Sequence, residues 1–97
     1  MDPRATYERR SELQILDVRE PDEWAEGHIP DAVHIPMDQV PERLDELDRD
    51  RPVVAVCRSG RRSGEVVDYL SRLGISAENM PGGMVQWADQ GLPIKRP

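Results

Sequence analysis

The chain has 97 residues, with 19 Asp and Glu against 13 Lys and Arg and a formal net charge of −6. That length suits one domain burying roughly 60–68% of its unfolded surface, and the acidic balance argues against a nucleic-acid partner, which needs a dominant positive surface. No apolar stretch approaches the ~20 residues of a membrane span, and the start Met1-Asp2-Pro3-Arg4 lacks the apolar core of a secretory leader, so a cytoplasmic protein is expected.

In chain order, residues 1–12 are polar, show no period and read as a loose lead-in that Tyr7 anchors. The apolar-rich run Leu13-Gln14-Ile15-Leu16-Asp17-Val18 predicts the first strand. Glu20-Pro21 then opens a short helix, with Asp22 and Glu23 in its first turn, Trp24 and Ala25 on its buried side and Gly27 as its stop. Val33-His34-Ile35 reads as a brief strand closed by Pro36. Asp38 is placed to cap the next helix, in which Val40, Leu44 and Leu47 share a face and Pro41 falls inside the first turn. Val53-Val54-Ala55-Val56 is the central strand. Beyond the loop that follows it, Val66, Val67, Leu70 and Leu73 give another helical face, which Gly74 ends. Ile75 to Met80 is a weaker strand, and a last helix from Met84 to Gln90 offers Val85, Trp87 and Ala88 to the core. Strands alternating with helices imply an α/β domain over residues 13–94, with a tail at 95–97 and a mainly parallel sheet of four to five strands covered by helices on both faces.

The loop Cys57-Arg58-Ser59-Gly60-Arg61-Arg62-Ser63 carries the chemistry. A strand turning tightly into a helix leaves backbone N–H groups converging on the mouth of the turn, where an anion fits. The only cysteine opens that loop, facing the positive end of the helix dipole, with Arg58, Arg61 and Arg62 alongside. Such surroundings lower a thiol from about 8.5 and populate the reactive thiolate. On position alone a second reading stands beside this one, a small hydrophobe finishing a buried strand. One cysteine forms no internal disulfide and no cysteine-based zinc site, and His28 and His34 have no ligand spacing with it, so no metal or cofactor is expected.

Asp17-Val18-Arg19-Glu20, Gly27-His28-Ile29-Pro30 with Ala32 and Ile35-Pro36, the Cys57 to Ser63 loop, and Gly82-Gly83 followed by Trp87 and Gly91-Leu92-Pro93 together resemble the rhodanese-like sulfurtransferases. The resemblance spans roughly residues 13–93, and four motifs in order and spacing make it specific. It implies that Cys57 carries sulfane sulfur as a persulfide, taken from a small anionic donor such as thiosulfate and passed to cyanide, a thiol or a sulfur-relay protein. Carried over by position, Arg58, Ser59, Gly60, Arg61, Arg62 and Ser63 form the substrate loop. Arg61 and Arg62 stand at its rim, Arg62 is also able to brace it, and Ser63 either caps the helix or approaches the sulfur. Asp17 and Arg19 read as a structural pair tying the strand end to neighbouring loops, and Gly82-Gly83 as a place where chains pack closely. Members usually have a short strand and helix before the first strand found here, and residues 1–12 do not hold both comfortably. The alternatives are a non-catalytic binding module, a protein-to-protein sulfur carrier, and a phosphatase or arsenate reductase of the same fold. Those last enzymes need five residues between cysteine and arginine, whereas Cys57 and Arg62 enclose four.

Overall fold

The computed structural model describes residues 1–97. Four strands form one parallel sheet in the order β2-β1-β3-β4: β1 (Gln14–Asp17), β2 (Val33–His34), β3 (Val53–Val56) and β4 (Ala77–Asn79). β1 and β3 are central and buried on both sides, which is why each reads as an apolar run rather than an alternating one. Their side chains nevertheless sort by parity. Leu16, Val18 and Val53 enter one core, with Ile35, Val40, Leu47, Val66, Leu70 and Ile75. Leu13, Ile15, Val54 and Val56 enter the other, with Met80, Met84, Trp87 and Leu92. The first core is covered by α3 (Arg61–Arg72) and a 3-10 helical stretch, Met37–Glu46. The second is covered by α1 (Pro3–Glu8) and α4 (Gly83–Asp89). Helix α2 (Pro21–Glu26) connects β1 to β2.

Residues 1–12 are not the loose lead-in expected. Asp2 accepts a hydrogen bond from the Ala5 N–H at 2.8 Å, Pro3 occupies the first turn, and together they start α1. Tyr7 then meets Trp87 edge to face at 6.0 Å, which fastens α1 to α4. Of the family's usual opening pair, residues 1–13 hold a helix.

Four further expectations change for physical reasons. The stretch after β2 is 3-10 rather than α-helical and kinks at Arg43. Pro41 lies inside it, and its N-cap is Pro36 rather than Asp38, with no side-chain cap. In α2, Ala25 is exposed and Trp24 only half-buried, because Trp24 stacks between His28 and His34 at 3.6 and 4.5 Å instead of entering a core. Leu73, at the end of α3, is 44% exposed, since the helix has run past the sheet it covers. In α4, Val85 is 42% exposed and Ala88 is also exposed, while Met84 and Trp87 supply the buried side. At the carboxyl end Lys95 is pinned to His28 by a pair of backbone hydrogen bonds of 2.8 and 2.9 Å.

The chain runs from β1 outward to β2, then returns to β3 on the other side of β1. This reversal puts the carboxyl ends of β1 and β3 at the switch point of the sheet, the place where open α/β sheets hold ligands. Cys57 lies at that point.

Candidate active site

Cys57 directly follows β3, its side chain enters the first core, and the residue is 1% exposed. Gly60, at φ 104°, makes the turn into α3, a conformation that a residue with a Cβ adopts only with strain. The loop's carbonyls are occupied from outside. Met84 N–H donates to the Cys57 carbonyl at 2.9 Å, Val85 N–H to that of Arg58 at 3.1 Å, and Asn79 Nδ2 to that of Gly60 at 2.8 Å. With the carbonyls turned away, the loop's N–H groups face the sulfur. This approach needs Gly83, because a Cβ there would lie 2.3 Å from the Cys57 carbonyl oxygen.

The sulfur accepts from the Gly60 N–H at 3.0 Å and lies 3.3 Å from the hydroxyl of fully buried Ser63. Burial pushes the thiol up, but hydrogen bonds from the Ser63 hydroxyl and from the N–H groups of Ser63, Gly60 and Ser59 outweigh it, leaving the thiol below its ordinary range. The sequence credited the helix dipole and the arginines together, whereas the groups that hold the sulfur are a hydroxyl and backbone amides. Arg62 is engaged elsewhere, forming a bidentate ion pair with Glu23 of α2 at 2.7 and 2.9 Å. The hydrogen bond from Arg62 holds the Glu23 carboxyl down to about 2, and the same pairing raises the arginine. Arg58, Ser59 and Arg61 are exposed, and neither of these arginines has an ion-pair partner. The loop therefore presents two free cations at its rim.

Asp17 and Arg19 do not reach the sulfur through any hydrogen bond. Asp17 accepts from Arg19 Nε and Nη2 and from its backbone N–H at 2.8 to 3.0 Å, while Arg19 also donates to the carbonyls of Gly27 and Glu23 at 2.8 and 3.2 Å. The pair fastens the end of β1 to α2. His28 donates to the Trp24 carbonyl at 3.1 Å and His34 to that of Arg19 at 2.8 Å, so both imidazoles are tied within this same corner.

Two residues at the site escaped sequence reasoning, Glu23 and Asn79. Glu23 was visible only as a first-turn acid. Asn79 carried a faint signal as an amide in a strand, where asparagine is disfavoured. No three His, Cys, Asp or Glu side chains gather as metal ligands would. The roomiest cleft lies at the other end of the sheet, beside Leu13, Gln14, Asp48 and Arg51, and no residue of the loop lines it.

The family model of the rhodanese-like domain matches residues 3–90. The chain belongs to the rhodanese-like domain family. YtwF of Bacillus subtilis, named as a sulfurtransferase candidate, is 46% identical over 86 residues, covering 89% of this chain and 84% of that protein. A protein of Allochromatium vinosum named sulfurtransferase is 44% identical over 87 residues, 89% of this chain and 81% of its own. Among solved structures, a rhodanese-related protein from Thermoplasma volcanium superposes with a TM-score of 0.94 at 33% identity, covering 98% of this chain and 95% of its own. The rhodanese-like fold expected from the four motifs is thus found, and no helix in it is long and apolar enough to cross a membrane.

Proposed function

We propose that this rhodanese-like protein is a sulfurtransferase in which Cys57 accepts sulfane sulfur as a persulfide and hands it to a thiophilic acceptor. The observation that carries this reading is the convergence of a hydroxyl and backbone N–H groups on a single thiol that they hold below its ordinary range. A lowered pKa raises the share of the thiolate, which is the nucleophilic form. In the first step the thiolate attacks the outer sulfur of a donor such as thiosulfate. A Cys57 S–S bond forms, the donor's S–S bond breaks, and sulfite departs with the electron pair. In the second step cyanide or a thiolate attacks the outer sulfur of the persulfide, and the Cys57 thiolate is restored. The loop N–H groups stabilise the negative charge in both steps, and Arg58 and Arg61 at the rim draw in an anionic donor. Because the cysteine is 1% exposed, reactants meet the sulfur at the floor of the loop, which favours a small donor or a slender terminal group.

Intact mass after incubation with thiosulfate tests this reading. A gain of about 32 Da that cyanide reverses, absent from Cys57→Ser, is the expected result. An adduct with a polysulfide but not with thiosulfate retains the chemistry and changes the donor. No adduct with any donor, while Cys57 still alkylates, overturns the reading.

A further inference from the structure

Behind the sulfur lies a hydrogen-bond arrangement whose far member, Asn79, has no part in the transfer steps. Asn79 Nδ2 is 2.8 Å from the Gly60 carbonyl, which accepts only, so the amide is oriented with Oδ1 towards Ser63. Ser63 Oγ is 2.6 Å from that Oδ1 and 3.3 Å from the Cys57 sulfur. A hydroxyl has one proton, and both neighbours accept it. With Cys57 protonated, the chain runs from the S–H to Ser63 Oγ and from the Ser63 O–H to Asn79, and each group is satisfied. With Cys57 ionised, the Ser63 proton turns to the sulfur and Asn79 Oδ1 loses its donor.

We propose that Asn79 is a positioning residue that competes with the Cys57 sulfur for the single Ser63 proton and thereby sets how readily the thiol ionises. The proposal rests on Cys57 as the reacting group and adds a second state to its cycle. The empty thiolate holds charge on Sγ and claims the proton. The persulfide holds charge on its outer sulfur and returns the proton to Asn79.

The charged groups around this arrangement are Arg62, neutralised by Glu23 of α2, the rim cations Arg58 and Arg61, and the Asp17–Arg19 pair at the end of β1. On β4 itself the Met1 amino group donates to the Asn79 carbonyl at 2.9 Å and lies 3.5 Å from Glu78. Substitutions of the Asn79 and Ser63 side chains remove none of these groups.

The test is the pH profile of Cys57 alkylation by iodoacetamide in the parent, Ser63→Ala, Asn79→Ala and the double variant. Ser63→Ala should move the midpoint up. Asn79→Ala should move it down, by on the order of half to one pH unit, the worth of one hydrogen bond. The double variant should match Ser63→Ala, because Asn79 acts through Ser63. An upward or absent shift in Asn79→Ala overturns the proposal, as does a shift of equal size when Ser63 is already alanine, which would mean that Asn79 only braces the Gly60 carbonyl. Should Asn79→Ala not fold, Asn79→Val withdraws the acceptor at a strand-compatible position and must move the midpoint in the same direction. Alkylation needs no sulfur donor, so a failure of sulfur loading and a failure of this proton competition are separate results.

Discussion

At the residue scale, two charged sites near the loop differ in what they hold. Arg58 is exposed with no ion pair, so its removal disturbs little besides the field that an anion meets. Arg58→Ala is expected to raise KM for thiosulfate several-fold and to leave a neutral persulfide donor almost unaffected; equal losses with both donors would remove Arg58 from donor handling. Asp17 is the reverse case, a buried carboxylate whose partner Arg19 is buried too. Asp17→Asn leaves a guanidinium charge without compensation, which costs about 3–5 kcal/mol. Urea unfolding should show that loss as a lowered midpoint with an unchanged slope. The site's nucleophile candidate and its loop were legible because a lone cysteine, three arginines and a glycine in seven residues are a local pattern. Glu23 and Asn79 were not, since each reaches the loop from a different element across 39 and 16 to 19 residues of chain. Sequence spacing holds no record of such meetings.

At the scale of elements, the loop is fixed by what α2 and α4 bring to it. Glu23 clips α2 to the first turn of α3 through Arg62, with the two side chains 24% and 34% exposed. Because the folded carboxyl is depressed from 4.5 to about 2, the pair's contribution is fully present above about pH 4.5 and is lost as pH falls towards 2. Solvent screening keeps it to about 1 kcal/mol or less. Glu23→Gln should therefore be less stable than the parent at pH 6 by that amount, with the gap closing between pH 4.5 and 2; a constant gap would mean that the glutamate acts through packing. On the other side, Gly83→Ala sets a methyl against the Cys57 and Arg58 carbonyls at 2.3 and 2.5 Å and must displace either α4 or the loop. Cys57 alkylation should lose its low-pH onset in that variant, since the N–H groups no longer converge. The sequence showed these elements unevenly. β1, β3, α2 and α3 declared themselves through apolar runs, Pro-acid starts and a 3.6-residue period. α1 was missed because Asp2 and Pro3 supply its start while the six residues Pro3–Glu8 are too few to display a period. The 3-10 stretch mimicked an α-helix because Val40, Leu44 and Leu47 have helical spacing, although Pro41 and the kink at Arg43 divide it.

For the whole molecule, one four-stranded sheet serves two cores, and the thiol belongs to only one of them. Cys57 packs with Val66 and Leu70 beneath α3, whereas Trp87 and Met84 fill the opposite side beneath α1 and α4. The faces are joined through β1 and β3, whose successive residues alternate between them, so loosening one face loosens the strands that the other packs on. Leu70 and Trp87 are both fully buried. Leu70→Ala should cost about 2–5 kcal/mol and Trp87→Ala about 3–5 kcal/mol, each leaving a cavity that close packing refills only in part. The shared sheet then makes a further demand. In both variants far-UV circular dichroism and protection of Cys57 from a thiol reagent should be lost in one coincident transition as denaturant rises. A Trp87→Ala protein that releases Cys57 well before its helices melt would show the two faces unfolding separately, with the loop held by α3 and β3 alone. Coincidence is the expected outcome, because the loop's carbonyls are bound by the α4 N–H groups of Met84 and Val85 and the same helix buries Trp87.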